Sequence, residues 1–158
     1  MAQHAFSLQA GDGSAAEMGF KAYNLARMTR LGLPVPDGFT LGTALCRSWL
    51  EDPAAAQEAL GALIDAPLRE LERSSRLRFG DPRRPLLVSV RSGAPVSMPG
   101  MMDTLLNVGL NAATLRGLLR LTGNPRLAWD SYRRLVQSFA ETVHGADPAP
   151  FREALERA

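Results

Sequence analysis

The stretch L-L-V-S-V-R-S-G-A-P-V-S-M-P-G-M-M-D-T, residues 86–104, carries the strongest structural signal in this chain of 158 residues. Residues 86–90 are mainly apolar and include β-branched valines, which predicts a buried central strand. That strand delivers Arg91 at its end, and the forked guanidinium suits bidentate contact with phosphate oxygens. The stretch therefore predicts an anion site where a strand ends. The alternative is an ordinary loop with Arg91 in a structural ion pair.

The residues after the strand have a special composition. Residues 91–103 contain two glycines, two prolines, small hydroxyl residues and three methionines. Gly93 and Gly100 allow the backbone to approach a ligand and to direct N–H groups at an anion. Pro95 and Pro99 restrict the loop, and the methionines supply adaptable apolar cover. This composition predicts a loop that closes over an anion, unless the methionines simply pack on the core.

Hydrophobic periodicity predicts several helices and a few short strands around this loop. Strands are predicted at residues 5–8, 39–41 and 86–90, and helices at residues 17–31, 43–49, 53–78, 111–121, 125–143 and 148–158. Thr43 and Asn111 are predicted caps, and Pro67 either divides or kinks the third helix. The helix from Pro125 is predicted to be the longest, with one apolar face formed by Trp129, Tyr132, Val136, Phe139 and Val143. The fold class is therefore α+β, rich in helix, with a small sheet.

Composition excludes several classes of protein. Hydrophobic residues make up 46% and charged residues 22%, as in a globular domain or a piece of one. No apolar run is long enough to span a membrane, and the N-terminus lacks a secretory signal, so we expect a cytoplasmic protein without a membrane partner. The net charge is only +2, and the basic residues are scattered along the chain. Both facts argue against a nucleic-acid partner. Cys46 has apolar neighbours and is predicted to be buried.

Lysine usage singles out one position. Every basic residue except Lys21 is an arginine. A position that stays lysine in such a chain is a candidate for a role that needs a compact ammonium group. The alternative is that this lysine persists by chance.

Six stretches, in chain order, resemble the N-terminal part of pyruvate, phosphate dikinase. They are N-L-A-R-M-T-R-L (24–31), G-L-P-V-P-D-G-F-T (32–40), F-G-D-P (79–82), the stretch 86–104, L-N-V-G-L-N (106–111) and D-S-Y-R-R (130–134). The resemblance covers nearly the whole chain. Similarity to phosphoenolpyruvate synthase is looser, because that family lacks the M-P-G-M-M-D-T wording.

The resemblance implies the first subdomain of an ATP-grasp-like nucleotide-binding domain over residues 1–158. In the family, ATP, phosphate and pyruvate give AMP, diphosphate and phosphoenolpyruvate through a phosphohistidine. Arg91 matches the phosphate-contacting arginine, and Lys21 matches the lysine of a G-G-K-G motif. The loop that matches the segment against the triphosphate supplies Ser97, Gly100, Met101, Met102, Asp103 and Thr104. The implied cofactors are ATP and Mg²⁺, with the metal ligands expected outside this chain.

Two departures from the family pattern stand out. Its G-G-K-G reads Gly19-Phe20-Lys21-Ala22 here, so two flexible glycines are replaced. The second half of the nucleotide domain, the phosphohistidine domain and the pyruvate barrel lie beyond residue 158, so the family domains are expected as partners in cis or in trans. No catalytic residue or metal ligand is predicted in this chain. The alternative is a truncated, non-catalytic relative that binds a nucleotide or a protein partner.

A second nucleotide signature is a decoy. Residues 11–16 fit G-x-G-x-x-A, and Asp37 follows at roughly the spacing of a dinucleotide fold. That acid, however, should end a parallel strand, and Pro34 and Pro36 are incompatible with a central strand. The chain also lacks G-x-x-x-x-G-K-[ST], so a P-loop is excluded.

Overall fold

The computed structural model describes residues 5–93 and 104–157. These residues divide into two compact units, each with its own hydrophobic core. The first unit runs to Arg76 and also includes Gly93, and the second comprises Leu77–Ser92 together with the described residues from 104 onward. Both units combine helices with two-stranded sheets. The predicted α+β class is confirmed.

The first unit pairs two short strands and packs helices beside them. Its elements are β1 (Ala5–Ser7), α1 (Ala15–Met18), α2 (Phe20–Arg30), β2 (Phe39–Leu41), α3 (Thr43–Glu51) and α4 (Pro53–Ser75). Strands β1 and β2 are antiparallel, with Ala5 opposite Leu41 and Ser7 opposite Phe39. A dinucleotide fold needs parallel strands at this point, so the pairing rules out the glycine signature at residues 11–16 as a dinucleotide site.

The core of the first unit comes from β1, the segment that follows it and the first two helices. The buried side chains are Phe6, Leu8, Met18, Ala22 and Ala26, with Leu25 packed against them. Met28, the next apolar residue at helical spacing after Leu25, is exposed. The predicted single helix is divided into α1 and α2 at Gly19, where φ is 80°.

Helix α4 continues through Pro67 without interruption and ends at Ser75, so the helical pattern predicted at residues 53–78 corresponds to one helix that is three residues shorter. It begins at Asp52, whose Oδ1 accepts hydrogen bonds from the Ala54 and Ala55 N–H groups, both over 3.1 Å. An N-cap of this kind satisfies donors that the first helical turn leaves free. Five apolar residues at helical spacing along α4 are half-buried: Leu60, Leu63, Ile64, Leu68 and Leu71.

The second unit contains two small sheets and three helices. Its elements are β3 (Arg78–Phe79), β4 (Pro85–Leu86), β5 (Val88–Arg91), β6 (Thr104–Val108), α5 (Leu115–Thr122), α6 (Pro125–His144) and α7 (Ala149–Glu156). Strands β3 and β4 are parallel, and β5 and β6 are antiparallel. The core joins Leu110, Leu115 and Ala128, with Leu87, Leu118, Leu119, Tyr132 and Leu135 packed around them.

The prediction that residues 86–90 form a buried central strand is wrong. Leu86 is buried in β4, whereas β5 begins at Val88 and pairs, within the described residues, only with β6. Val90 is 50% exposed, and Ser89 and Arg91 are also exposed. An apolar run does not distinguish a fully buried strand from one strand of an open pair, because both use β-branched residues.

Cys46 is also exposed, which corrects the prediction that it is buried. Only Leu45 is buried in α3, and Trp49 and Leu50 lie at the surface. Trp49 and Leu50 follow Cys46 by three and four residues and so lie on its side of the helix, and that side of α3 is exposed.

The predicted helix boundaries need smaller corrections. The N-cap of α3 is Gly42, and Thr43 is its first residue. The N-cap of α5 is Thr114, and Asn111 caps the preceding turn by accepting from the Ala113 and Thr114 N–H groups. Helix α4, with 23 residues, is longer than α6, with 20. Asn124 caps α6, accepting from the Leu127 N–H over 3.0 Å.

One flank of α6 is apolar and exposed. Of the predicted apolar face, Tyr132 packs into the core. The other four residues, Trp129, Val136, Phe139 and Val143, are exposed and form what we call the α6 flank. They follow one another at intervals of seven, three and four residues, so they line one side of the helix.

No helix in residues 5–93 and 104–157 is long and apolar enough to cross a membrane.

Candidate functional site

Arg91 and Thr104, both predicted site residues, lie directly opposite each other across the β5–β6 ladder. Directly opposed residues project on the same face of a sheet. Arg91 ends β5 and Thr104 begins β6, so the two strands bracket the predicted phosphate loop. Ser97, Gly100, Met101, Met102 and Asp103 lie outside the described residues.

A bulge interrupts the β5–β6 ladder next to this pair. Val88 lies opposite Val108 and Val90 opposite Leu105, so β6 contains one more residue than β5 over this interval. Within this stretch Asn107 has a φ of 59°, in the left-handed region. Bulges of this kind bend a strand and are common beside functional sites. The sequence analysis did not predict this bulge. The only signal for it in the sequence is Asn107 before Val108 and Gly109.

Arg91 is exposed and makes no ion pair with any carboxylate in the described part of the chain. The alternative of a structural ion pair therefore has no support in these residues. A guanidinium without a carboxylate partner keeps its donors available for an anion.

Lys21 is the second residue of α2 and is half-buried. It too forms no ion pair within residues 5–93 and 104–157. Its position at a helix N-terminus places the ammonium group near the positive end of the helix dipole, an environment that favours a bound anion. Lys21 belongs to the first unit and Arg91 to the second.

Gly19 is the one glycine of the family motif that this chain retains before Lys21. It ends α1 and begins α2 with φ 80° and ψ 152°. A side chain is essentially excluded from that backbone region. Phe20 and Ala22 stand where the family motif has glycine. Phe20 is exposed and Ala22 is buried in the core, so the fold accommodates both side chains.

A capping box fixes the short helix before Gly19. The Ser14 N–H and hydroxyl donate to Glu17 Oε2 over 2.9 and 2.6 Å, and the Glu17 N–H donates to Ser14 Oγ over 3.4 Å. These hydrogen bonds, the hydroxyl first, lower the pKa of the Glu17 carboxyl. The box satisfies free donors at the start of α1 and so anchors the chain four residues before Lys21.

The D-S-Y-R-R motif forms a hydrogen-bonded group on α6. Asp130 Oδ1 accepts from Arg133 Nη2 over 2.8 Å, and Asp130 Oδ2 accepts from Arg134 Nε over 2.7 Å. The two arginines, Arg133 first, lower the pKa of Asp130. These guanidiniums already have an acidic partner, whereas Arg91 has none within residues 5–93 and 104–157.

In residues 5–93 and 104–157, no three histidine, cysteine, aspartate or glutamate side chains converge on a point where they could hold a metal ion. The described residues therefore offer cationic groups for an anion and no cluster of acidic ligands.

No protein-family model matches the chain. Individual proteins do match it closely. The chain is 46% identical over 161 residues to the pyruvate, phosphate dikinase of Rhizobium meliloti (strain 1021), which covers 99% of the chain. It is 41% identical over 157 residues to the dikinase of Clostridium symbiosum and 48% identical over 139 residues to pyruvate, phosphate dikinase 2 of Zea mays. The resemblance to pyruvate, phosphate dikinase is confirmed.

The chain spans only 16 to 18% of the length of these dikinases. Because the Rhizobium meliloti match covers 99% of the chain, Lys21, Arg91 and Thr104 all lie within the part that is similar to the dikinases.

Proposed function

We propose that this chain binds the phosphates of ATP as part of a dikinase-type phosphotransferase. The observation that carries the proposal is the position of Arg91. It is exposed, has no carboxylate partner among the described residues, and lies opposite Thr104, at the two ends of the predicted phosphate loop. A sheet holds the base of such an arginine firmly, and phosphoryl transfer depends mainly on positioning and charge neutralisation.

Lys21 is the second proposed phosphate ligand. The residue lies in the first turn of α2, is half-buried and has no carboxylate partner in the described residues. Ser97, Gly100, Met101, Met102 and Asp103 are proposed to complete the site from the loop. In this proposal the chain forms the first subdomain of an ATP-grasp-like domain, over residues 1–158.

The proposed reaction is the one that the resemblance to pyruvate, phosphate dikinase implies. In it, ATP, phosphate and pyruvate give phosphoenolpyruvate, AMP and diphosphate. Mg²⁺ would neutralise phosphate charge when bound together with ATP. The described residues do not fit a magnesium site, because no acidic cluster exists among them and Mg²⁺ prefers oxygen ligands. In this proposal, as the resemblance implies, the metal ligands and the catalytic groups belong to polypeptide outside this chain.

The α6 flank supports a second, compatible role in binding a protein partner. Its four apolar side chains, from Trp129 to Val143, are exposed, and a contiguous apolar surface is typical of an interaction site. Since the dikinases are more than five times as long as this chain, their remaining polypeptide is the proposed partner.

Titration calorimetry with MgATP tests the phosphate proposal. Arg91→Ala should weaken ATP binding about tenfold or more, because a hydrogen bond to a charged group contributes roughly 1.5–3 kcal/mol. The melting temperature should hardly change, since Arg91 is exposed. Arg47→Ala, an exposed arginine on α3, is the matched control and should bind ATP as the parent does.

The same ATP titration can be made in a chimaera, in which we expect this chain to bind ATP more tightly than it does alone. In it, these 158 residues replace the matching segment of the Rhizobium meliloti dikinase. If Arg91→Ala strongly lowers the melting temperature and leaves the ATP affinity unchanged, Arg91 is instead a structural residue. Equal loss of affinity in the Arg91 and Arg47 variants would indicate nonspecific charge attraction.

A further inference from the structure

We propose that Asn107 is a positioning residue for the site. Its left-handed backbone creates the bulge in β6, and the bulge sets the register that places Arg91 opposite Thr104. The register is a property of the fold alone. Its consequence for ATP binding rests on the proposed function.

The pairing of the two strands defines what the bulge does. From Val88–Val108 to Val90–Leu105, β5 advances by two residues and β6 by three. If the ladder continued from Val88–Val108 without the extra residue, Val90 would face Leu106 and Arg91 would face Leu105. Thr104 would then lie beyond Arg91, which is the last residue of β5.

A shift of one residue changes more than the partner. Neighbouring residues of a strand project on opposite faces, so a one-residue slip moves every side chain beyond it to the other face. Arg91 and Thr104 now share a face. After the slip, Arg91 would share its face with Leu105, and the cation and the hydroxyl would lie on opposite faces.

Asn107 suits this position because of its backbone. With φ at 59° it lies in the left-handed region, which asparagine tolerates better than most residues and glycine adopts freely. The Asn107 carbonyl also accepts from the Leu110 N–H over 3.0 Å, so the same residue starts the turn that leaves β6. A β-branched residue disfavours this backbone strongly and would favour the extended, unbulged strand.

Nuclear magnetic resonance of the 158-residue chain tests the register directly. In the parent and in Asn107→Gly, backbone protons of Arg91 should give cross-strand contacts with Thr104. In Asn107→Val, these contacts should be lost and replaced by contacts between Arg91 and Leu105. Leu106→Val is the matched control, because Leu106 is the neighbouring position and its φ is not positive; its register should equal that of the parent.

An ATP titration of the same proteins tests the consequence for the site. Asn107→Val should bind MgATP about tenfold more weakly, while Asn107→Gly and Leu106→Val should stay within about twofold of the parent. Rescue by glycine identifies the backbone of residue 107, and not its amide side chain, as the operative group.

The outcomes separate the two proposals. Retention of the Arg91–Thr104 contacts in Asn107→Val overturns the inference, as does their loss in Asn107→Gly. If the parent itself does not bind ATP, the proposed function fails while the register contacts still decide the inference. If Asn107→Val does not fold, Asn107→Ala replaces it. This variant should show both the Arg91–Thr104 and the Arg91–Leu105 contacts. If it shows the Arg91–Thr104 contacts alone, the inference is overturned.

Discussion

Gly19 has a backbone conformation that residues with a side chain rarely adopt. Its φ of 80° and ψ of 152° lie in a region that is essentially restricted to glycine, yet a Cβ placed there would meet no atom within 4 Å. The cost of Gly19→Ala is therefore conformational and not steric. We expect the free energy of unfolding to fall by about 1–3 kcal/mol, measured by urea denaturation.

Gly61 provides the matched control for that substitution. It lies inside α4, its φ is not positive, and a Cβ there also meets nothing within 4 Å. Gly61→Ala should raise the free energy of unfolding by about 0.5–1 kcal/mol, because glycine is unfavourable inside a helix. If both alanine variants shift stability in the same direction, the argument from the backbone of Gly19 is wrong.

Lys21 allows a test of why one lysine persists among arginines. Lys21→Arg should lower ATP affinity by about 1–2 kcal/mol in the chimaera, because a guanidinium is bulkier and spreads its charge over a plane. Calorimetry measures the loss. Stability should be unchanged, since Lys21 has no carboxylate partner in the described residues. Equal ATP binding by the arginine variant would remove Lys21 from the site.

At the scale of elements, the capping box of α1 makes stability depend on pH. Hydrogen bonds from Ser14 lower the pKa of Glu17 in the folded chain. The stabilisation is therefore fully present above the carboxyl's ordinary pKa, near 4.5. It is lost as the pH falls through the lower, folded value.

Comparison with Glu17→Gln isolates this contribution. The parent should be more stable than the variant at pH 6, and the difference should shrink steadily below pH 4.5. The carboxyl carbon resonance of Glu17 should titrate below the ordinary glutamate range. A stability difference that does not vary between pH 6 and pH 3 would show that the charge of Glu17 is irrelevant to the cap.

Elements with strong local signals were predictable from sequence, and those defined by partners were not. Asn124 and Gly123 set helix boundaries through their own backbone and side chain, so the start of α6 and the end of α5 were foreseen. The exposure of β5 depends on which strands pair with it, which residues 86–90 do not encode locally.

The site divides in the same way. Arg91 and Lys21 were recognisable by residue type and by the resemblance, and the structure places Arg91 opposite Thr104. The bulge at Asn107 was not predicted, because a left-handed asparagine within a strand has no periodic signature.

At the scale of the whole molecule, the two units have separate cores and the α6 flank lies at the surface. Val143 is 51% exposed and Leu115 only 3%. Leu115→Ala should lower the free energy of unfolding by about 2–5 kcal/mol, whereas Val143→Ala should lower it by less than about 1 kcal/mol in urea denaturation.

The same pair of variants examines the proposed partner surface. In the chimaera, where the rest of a dikinase is present, Val143→Ala should become markedly more costly while the cost of Leu115→Ala stays similar. A large cost of Val143→Ala already in the isolated chain would mean that the flank is covered without a partner.

The exposed thiol of Cys46 allows a distance measurement by fluorescence energy transfer. It is the chain's single cysteine, so a dye that reacts with thiols attaches at one point of the first unit. Trp129, exposed on α6, lies in the second unit. With Trp49 replaced by phenylalanine, Trp129 becomes the sole indole, and fluorescence energy transfer from it to the dye reports the separation of the units. Any change of that signal on adding nucleotide can be followed in real time, with one substitution and one label.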